Sequence, residues 1–310
     1  MTTHQKILVL VGPTASGKTE ASICIAKHLN GEIISADSRQ VYRYLDIGTA
    51  KPTPAQRQQV THHFVDELLP DEDFSAGDFG LRGRQVIERI FERGKAPIVV
   101  GGSGLYIQAL IDGIFKGPSA DKALRARLER EVEEGRVSAL IQELKRVDPD
   151  SATTADPTKP RRIIRALEVY HSTGKAISQY HRESTTPIPY ACQFFGLEWD
   201  RQDLYERINR RCDNMVEAGL LGEVENLERR GYDSSLNALN TVGYAEAFTY
   251  RSGQISFDEM NRLFKQNSRR YAKRQLTWFR SDTRIKWIRM DETRKLTEVA
   301  QEIIEHFVAS

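Results

Sequence analysis

The stretch ILVLVGPTASGKT, residues 7–19, decides the fold. Its last eight residues match the phosphate-loop pattern G-x-x-x-x-G-K-[ST], and they stand between an apolar, strand-like run and a segment of helical composition. Gly12 and Gly17 let the backbone turn so that successive N–H groups point at phosphate oxygens, and the following helix N-terminus adds partial positive charge. The pattern predicts a site for a di- or triphosphate, with Lys18 on the outer phosphate oxygens and the Thr19 hydroxyl on Mg²⁺. The candidate diphosphate contacts are the eight loop residues Gly12, Pro13, Thr14, Ala15, Ser16, Gly17, Lys18 and Thr19.

Bulk composition sets the class of protein. With 310 residues the chain can form one large domain or two modest ones with an ample core. A net charge of only +2 gives no overall field that attracts nucleic acid, so any RNA-binding surface must be local. The three cysteines are far apart, which fits neither a disulfide framework nor a zinc site and indicates a reducing, cytoplasmic setting. We expect no signal peptide and no membrane-spanning segment.

Strand-like and helical segments alternate in the first and last parts of the chain. Short apolar runs separated by helices are typical of a parallel sheet covered on both faces. We therefore predict an α/β fold: a P-loop NTPase-like parallel sheet flanked by helices. A long polar loop with short elements is expected between residues 49 and 79. The predicted strands are 6–11, 32–35, 96–100, 192–199 and 285–289, and the predicted helices are 18–29, 80–93, 204–218, 221–230, 257–280 and 295–308.

The middle of the chain has a different texture. Residues 120–185 are strongly charged and helical in pattern, and strand character returns at residue 192. We predict an inserted all-helical subdomain. The expected division is a first part of the P-loop core at 1–118, the inserted helical subdomain at 119–190, and a second part of the core, with a C-terminal basic helix, at 191–310.

Two features narrow the class of phosphate-binding enzyme. The predicted strand 96–100 ends in GGSGLY rather than in the acidic residue that holds the Mg²⁺ shell of a hydrolysing motor, which argues against an ATPase. Asp37 comes directly after the predicted strand 32–35, at the carboxyl edge where open α/β sheets bind ligands. From spacing alone, Asp37 fits a helix-capping residue as well as it fits a catalytic carboxylate.

Six motifs in one order resemble those of the bacterial tRNA dimethylallyltransferases, also called tRNA isopentenyltransferases. They are GPTASGKT, ISADSRQVYRYLDIGTAKP, GGSGLY, RRIIRALEVY, TVGYAE and KRQLTWFR. The resemblance implies transfer of a dimethylallyl group from dimethylallyl diphosphate to N6 of adenine 37, beside the anticodon, in tRNAs that read codons beginning with U. In that reaction diphosphate leaves, so the phosphate loop would hold the departing group, with Mg²⁺ as the implied metal. The resemblance also implies a monomer.

The resemblance further implies the catalytic residues. Asp37 matches the family's general base, which takes a proton from the attacking amine. Ser103, within GGSG, matches the position where the family more often has Thr near the same amine, and on composition alone it is equally a turn residue. Arg207 and Arg211 share a helix face and match an Arg-Ile-x-x-Arg element, so we expect one of them, with Arg211 as the candidate, to reach the diphosphate beside Lys18. Arg210 is interpreted as part of a solvated face.

Residues 261–280 have the composition of a surface for single-stranded RNA. They carry seven basic residues and no acidic one, with four aromatic residues interleaved. The alternative is an amphipathic helix with a solvated basic face. The aromatic residues are Phe264, Tyr271, Trp278 and Phe279.

The resemblance implies contacts with the tRNA anticodon stem-loop in both parts of the protein. The family element Gln-Arg-Ile-x-Arg is matched by residues 161–165 of the inserted subdomain, with Arg161 in place of the Gln, so we expect the inserted helical subdomain at 119–190 to be tRNA-binding. The expected RNA contacts are Asp37, Ser38, Arg39, Gln40, Ser103, Arg125, Arg161, Arg162, Ile163, Ile164, Arg165, Lys273, Arg274, Gln275, Trp278 and Arg280.

Two other functions fit parts of the sequence. A nucleotide-type kinase or an adenylate isopentenyltransferase would act on a small acceptor, which does not need the basic and aromatic segment 261–280. A GTPase-like RNA-binding switch would carry an acidic residue after the strand 96–100 and an N-K-x-D motif, and the sequence has neither. His62, His63 and His171 lack the spacing of metal ligands and are interpreted as ordinary loop or surface residues.

Overall fold

The computed structural model describes residues 5–114, 121–183 and 186–309. All strands in these residues belong to one sheet with the order β3-β2-β4-β1-β5-β6, and every neighbouring pair is parallel. The strands are β1 (Lys6–Val11), β2 (Gly31–Ala36), β3 (His62–His63), β4 (Ala96–Gly101), β5 (Ala191–Trp199) and β6 (Ile285–Met290). The helices are α1 (Lys18–His28), α2 (Pro54–Gln59), α3 (Ala76–Glu92), α4 (Gly104–Ile111), α5 (Lys122–Glu133), α6 (Val137–Val147), α7 (Pro149–Ala152), α8 (Pro160–Thr173), α9 (Ile177–Glu183), α10 (Arg201–Glu217), α11 (Leu220–Arg229), α12 (Tyr244–Arg251), α13 (Phe257–Arg280) and α14 (Leu296–Ala309).

The chain divides into two compact units. The sheet unit combines Met1–Ile111 with Pro189–Ser310, and the helical unit is Asp112–Ile188. The expected boundary between residues 118 and 119 lies outside the described residues. In the described part of the chain, no helix has the length and apolar character needed to cross a bilayer.

The order of the strands decides where a ligand can bind. β1 is central, with Val9 beside Val99 of β4 on one side and Phe194 of β5 on the other. β2 lies beyond β4, so the carboxyl ends of β1, β4 and β2 are neighbours at one edge of the sheet. The phosphate loop, GGSG and Asp37 follow these three strands, and the fold therefore brings the three motifs together.

The structure confirms the predicted fold class, and five predicted strands agree with it to within one residue at each end. Two helices begin earlier than predicted because polar side chains cap them. Ser75 and Asp78 form a reciprocal capping box before α3, and the Asp200 carboxylate accepts the Gln202 N–H before α10. The helices α4 and α12 were not predicted.

The histidine interpretation is wrong in part. His62 and His63 form the short edge strand β3, and His63 Nε2 lies 2.7 Å from the buried Glu32 carboxylate. His171 Nε2 lies 2.8 Å from Glu143. These histidines therefore have structural partners. Among the residues that the structure describes, no group of three or more His, Cys, Asp or Glu side chains could hold a metal ion.

The helical unit, formed by α5–α9, has its own apolar core. Leu128, Leu140, Leu144 and Leu167 are almost completely buried in it. The apolar residues recur at helical spacing on α5, α6 and α8, so each helix turns one apolar face inward.

Candidate active site

The phosphate loop connects β1 to α1 in the conformation that an anion requires. Ala15 and Gly17 have left-handed backbone angles, with φ of 64° and 94°. Alternation of such residues with right-handed ones turns successive N–H groups toward a common point, which forms an anion-binding nest. A β-carbon at Gly17 would also lie 2.9 Å from Leu296 Cδ2, so both the backbone angle and the close contact favour glycine at this position.

A cavity of about 470 Å³ opens beside this loop. Its lining comes from the loop, from the residues that follow β2 and β4, from the segment 48–53, and from α10 and α13. All of these segments belong to the sheet unit. Ile208, Met215 and Phe264 provide an apolar part of the lining. The titratable side chains of the lining are Lys18, Glu20, Asp37, Arg39, Lys51, His62, Arg211, Cys212 and Tyr271.

Lys18 lies against the loop from which its own helix starts. Its Nζ donates hydrogen bonds to the carbonyl oxygens of Gly12, at 2.8 Å, and Pro13, at 2.6 Å. Burial, and after it the positive charge of Arg211, lowers the pKa of Lys18 to about 7. A bound anion would favour the charged form of this side chain and raise the pKa again.

The structure distinguishes between the two arginines of α10. Arg207 Nε donates to the Ala15 carbonyl at 3.0 Å, and its guanidinium lies 4.1 Å from the centre of the Trp199 ring, so Arg207 supports the loop. Arg211 lines the cavity and makes no hydrogen bond or ion pair with any described residue. Burial lowers the pKa of Arg211, and the Asp37 carboxylate offsets part of this effect. Arg211 is therefore the arginine with donors available for a ligand. Arg210, which is largely exposed, pairs with Glu292.

Asp37 both caps a turn and lines the cavity, the two roles that its sequence position allowed. Its Oδ1 accepts the N–H groups of Arg39, at 2.8 Å, and Gln40, at 3.3 Å, so the carboxylate stabilises the turn after β2. The side chain also lines the cavity, and no described donor is hydrogen-bonded to its Oδ2. One carboxylate oxygen thus holds the turn while the other remains available to a substrate.

Ser103 follows β4 and Asp37 follows β2, and because these two strands are neighbours in the sheet, the two residues lie next to each other. The Ser103 Oγ accepts the Ser38 N–H at 3.2 Å, and its side chain interacts with the Tyr271 hydroxyl. Burial, together with the Asp37 carboxylate, raises the pKa of Tyr271 to about 12, so this hydroxyl stays protonated at neutral pH. From the sequence, Tyr271 is only one of the aromatic residues of segment 261–280, and its place in the cavity was not predicted. Its spacing of four residues before Gln275, which puts both on one face of α13, was the available signal.

Two loop side chains bear on the fit of a diphosphate with Mg²⁺. The Ser16 Oγ is buried and has no hydrogen-bond partner among the described residues. Thr19 lines the cavity beside Lys18. Mg²⁺ takes few protein oxygens and keeps waters and substrate phosphates as its other ligands. The residues therefore fit a Mg²⁺ ion that is bound together with a diphosphate.

Gln40 and Gln275 differ from the expectation that their side chains contact RNA. Gln40 Oε1 accepts the Ser35 hydroxyl at 3.0 Å, and its Nε2 donates to the carbonyls of Thr49 and Ala50, both at 3.3 Å. Gln275 is 6% exposed, and both ends of its amide bind backbone groups of the sheet unit. Both amides are used inside the protein, which argues against RNA contacts by these side chains, although both line the cavity.

The other residues of α13 divide between two faces. Phe264 and Phe279 are each 3% exposed, so these two aromatic rings belong to the core and not to an RNA surface. Lys273 and Arg274 are exposed, and so is Trp278, at 42%. Arg280 is exposed and pairs with Glu198 at 2.8 Å. The exposed face keeps the composition that suits RNA.

In the helical unit, the segment 161–165 also contains both buried and exposed residues. Ile163 and Ile164 are 1% and 5% exposed and lie in the apolar core, which corrects the expectation that they contact RNA. Arg161 and Arg162 are exposed. A helix with a 3.6-residue period turns adjacent pairs to opposite sides, so the motif contains both core and surface positions.

Arg125 and Arg165 meet at one buried carboxylate. Glu168 has no exposed surface, and its Oε2 accepts from Arg125 at 2.8 Å and from Arg165 at 2.9 Å. Its Oε1 has no partner among the described residues. The two guanidinium groups are partly exposed, so they present a pair of positive charges in a fixed arrangement.

Comparison with known proteins adds independent information. A sequence profile of the IPP transferase family matches residues 40–282. The chain is 44% identical to the tRNA dimethylallyltransferase of Pelotomaculum thermopropionicum, over 96% of this chain and 95% of that protein. It is 47% identical to the tRNA dimethylallyltransferase of Carboxydothermus hydrogenoformans, over 95% of this chain and 96% of that protein.

Solved structures agree with the sequence relatives. The tRNA isopentenylpyrophosphate transferase of Bacillus halodurans superposes with a TM-score of 0.71 at 41% identity, covering 98% of both chains. A eukaryotic dimethylallyltransferase, captured while acting on tRNA, superposes with a TM-score of 0.83 at 28% identity, over 98% of this chain and 80% of that one.

Proposed function

The chain belongs to the IPP transferase family, and on that premise we propose that it is a tRNA dimethylallyltransferase. The reaction is transfer of a dimethylallyl group from dimethylallyl diphosphate to N6 of adenine 37 in tRNAs that read codons beginning with U, with release of diphosphate. The observation that carries the proposal is the single cavity lined by the phosphate loop, Arg211 and Asp37. That cavity combines a site for a leaving diphosphate with a carboxylate for an attacking amine.

The phosphate loop, Lys18 and Arg211 stabilise the leaving group. As the C–O bond of the donor breaks, negative charge grows on the diphosphate. The N–H nest and the two cationic side chains are fixed in place before the reaction, so they stabilise this charge without reorganising, and removal of one such donor typically costs about 100- to 1,000-fold in rate. The apolar part of the cavity keeps water from the allylic fragment, which has cationic character in the transition state.

Asp37 acts as the general base for the acceptor. The N6 amine is a weak nucleophile because its lone pair is delocalised into the ring, and it must lose a proton during or after attack. The free Oδ2 of Asp37 is suited to accept that proton, while the Oδ1 bonds keep the carboxylate oriented. Ser103, whose Oγ accepts the Ser38 N–H, is suited to orient the same amine.

The RNA is held by two surfaces. On the sheet unit, the exposed Lys273, Arg274 and Trp278 of α13 offer charge for phosphates and an aromatic face for a base. On the helical unit, Arg161 and Arg162 are exposed beside the Arg125 and Arg165 pair. The target base must leave the loop stack to reach the cavity, as it does in other enzymes that modify a base.

Mg²⁺ is the metal that we propose for the reaction. Thr19 would hold it together with the diphosphate oxygens. When bound, the ion neutralises part of the negative charge on the diphosphate. We place the enzyme in the cytoplasm, because its three widely spaced cysteines suit a reducing compartment.

The proposal is tested by offering competing acceptors. The protein is incubated with dimethylallyl diphosphate labelled in the allyl group, with Mg²⁺, and with equal concentrations of unmodified anticodon stem-loop and AMP. We expect label only in RNA, at the base 3′ to the anticodon, with one diphosphate released per transfer. Label in AMP, or none in RNA, would contradict the proposal.

A further inference from the structure

We propose that Gln275 is a positioning residue that sets the distance between the donor site and the acceptor site. Its side-chain amide joins the phosphate loop to the loop that carries Ser103. The inference rests on the proposed function, because it assigns the residue to the alignment of the two substrates of that reaction.

The contacts of Gln275 are specific at both ends. Its Oε1 accepts the N–H of Thr14 at 2.9 Å, and its Nε2 donates to the carbonyl of Gly102 at 3.0 Å. The side chain is 6% exposed and lies on the inner face of α13, and all three residues involved belong to the sheet unit. Thr14 and Gly102 follow β1 and β4, which are paired neighbours in the sheet. One amide therefore bridges the two loops that leave these strands.

The fit around the amide is close. A β-carbon at Gly102 would lie 2.1 Å from Gln275 Nε2, a distance that atoms cannot reach without one of them moving. The lack of a side chain at residue 102 is what lets the amide approach the backbone. Among neutral side chains of this length, glutamine offers both an acceptor and a donor at its end, which is what the two loops require.

The bridge also determines which backbone donors a ligand can use. The Thr14 N–H is bound to Gln275, so it is not available to a phosphate. The donors left to the diphosphate are those from Ala15 onward, close to the start of α1. On the other loop, Ser103 directly follows Gly102, and its side chain interacts with Tyr271, which lies one turn before Gln275 on the same helix. Gln275 thus fixes the acceptor loop against α13, and Tyr271 faces the same loop.

Gln275 lies next to the RNA-facing part of α13, so two roles, contact with RNA and positioning of the two loops, have to be distinguished. Lys273 and Arg274 are exposed on the outer face, two residues and one residue before Gln275. If Gln275 contacted RNA, its loss would weaken tRNA binding as the loss of Arg274 does. If it positions the two loops, its loss slows the transfer step and leaves tRNA affinity unchanged. Misplacement of reacting groups by about 1 Å costs about 100-fold in rate.

The test compares Gln275→Met with Thr277→Ala as a matched control. Thr277 is exposed on the same helix, and its hydroxyl bonds only within the helix, to the Lys273 carbonyl. Three quantities are measured: the single-turnover rate at saturating donor and anticodon stem-loop, the Kd of the stem-loop, and the midpoint of thermal unfolding. For Gln275→Met we expect a rate about 100-fold lower with a stem-loop Kd within about twofold of wild type, whereas Thr277→Ala keeps all three values. Arg274→Ala provides the comparison for lost RNA binding, with a weaker Kd.

A second pair of variants covers the case in which Gln275→Met does not fold. Gln275→Glu keeps an acceptor for Thr14 but loses the donor to Gly102, and Gly102→Ala disturbs the same bridge from the other loop. Both should slow the single-turnover step without changing stem-loop affinity. A single-turnover rate within about threefold of wild type in the folded variants, or a Kd that weakens as in Arg274→Ala, would overturn the inference. Absence of transfer by the wild-type protein would instead count against the proposed function.

Discussion

Binding of dimethylallyl diphosphate should draw a proton from solvent onto Lys18. Burial and the neighbouring Arg211 lower the pKa of this side chain to about 7 in the free protein, so at pH 8 roughly nine-tenths of it is neutral. A diphosphate next to the ammonium favours the charged form and moves the pKa back toward the ordinary lysine value. Binding then takes up about 0.9 proton at pH 8, about 0.5 at pH 7 and about 0.1 at pH 6.

The sign of the pH dependence follows from this uptake. Because the bound state holds the proton more tightly, affinity for the donor is greatest below pH 7 and falls as the pH rises. The expected loss is about fivefold from pH 7 to 8 and about ninefold from pH 8 to 9. The terminal phosphate has its own pKa near 6, so its titration adds little above pH 7.5.

Isothermal titration calorimetry measures the uptake directly. The donor is titrated into the protein at pH 8 in two buffers that differ in ionisation enthalpy, without RNA and at constant Mg²⁺. Lys18→Arg is the matched control, because a guanidinium stays charged throughout this range and should bind the donor without taking up a proton. Uptake below about 0.2 proton by the wild-type protein at pH 8, or equal uptake by both proteins, would refute the reasoning.

Four further perturbations have defined outcomes. Asp37→Asn keeps an acceptor for the Arg39 and Gln40 N–H groups but removes the base, so the transfer rate should fall about 100- to 10,000-fold with unchanged stem-loop affinity; a rate within tenfold of wild type would leave Asp37 only its turn-capping role. Arg211→Ala should lower the single-turnover rate about 100-fold. Arg210 pairs only with Glu292 in the described structure, so Arg210→Ala should keep the rate within about twofold of wild type. Similar losses in both variants would contradict the assignment of Arg211 to the diphosphate. Neutralising Lys273 and Arg274 together should reduce the slope of log affinity against log salt by about 1.4, and an unchanged slope would mean that this face is only solvated. Ile163→Ala leaves a cavity and should therefore destabilise the helical unit by about 3 kcal/mol in urea unfolding. Arg162→Ala should change the free energy of unfolding by less than about 0.5 kcal/mol. Equal effects of the two substitutions would contradict the burial of Ile163.

The fold was predictable because its signals are local. The predicted strands 6–11 and 96–100 are short apolar runs, and the phosphate-loop pattern fixes the order strand, loop, helix at the start of the chain. The two missed helices show the limit. Residues 104–111, GLYIQALI, contain only one polar side chain, Gln108, and the apolar Leu105 is 49% exposed, so the segment has no clear amphipathic pattern to recognise.

The site was predictable at the level of motifs and less so at the level of single side chains. Sequence spacing puts Arg207 and Arg211 on one face of α10, but only the tertiary structure shows that Arg207 is bound to the loop backbone while Arg211 faces the cavity. In the same way, KRQLTWFR reads as one RNA-binding segment. Within it, Gln275 points inward and Lys273 outward, because the helix period separates positions that adjoin in sequence.

The direct test of the central claim is the position of the donor's diphosphate. A crystal structure with an unreactive thiolo analogue of dimethylallyl diphosphate and Mg²⁺ should show its anionic end within hydrogen-bond distance of the backbone N–H groups of residues 15–19 and of the Arg211 guanidinium, with the five-carbon chain toward Asp37. An analogue whose phosphates lie away from this loop would contradict the account.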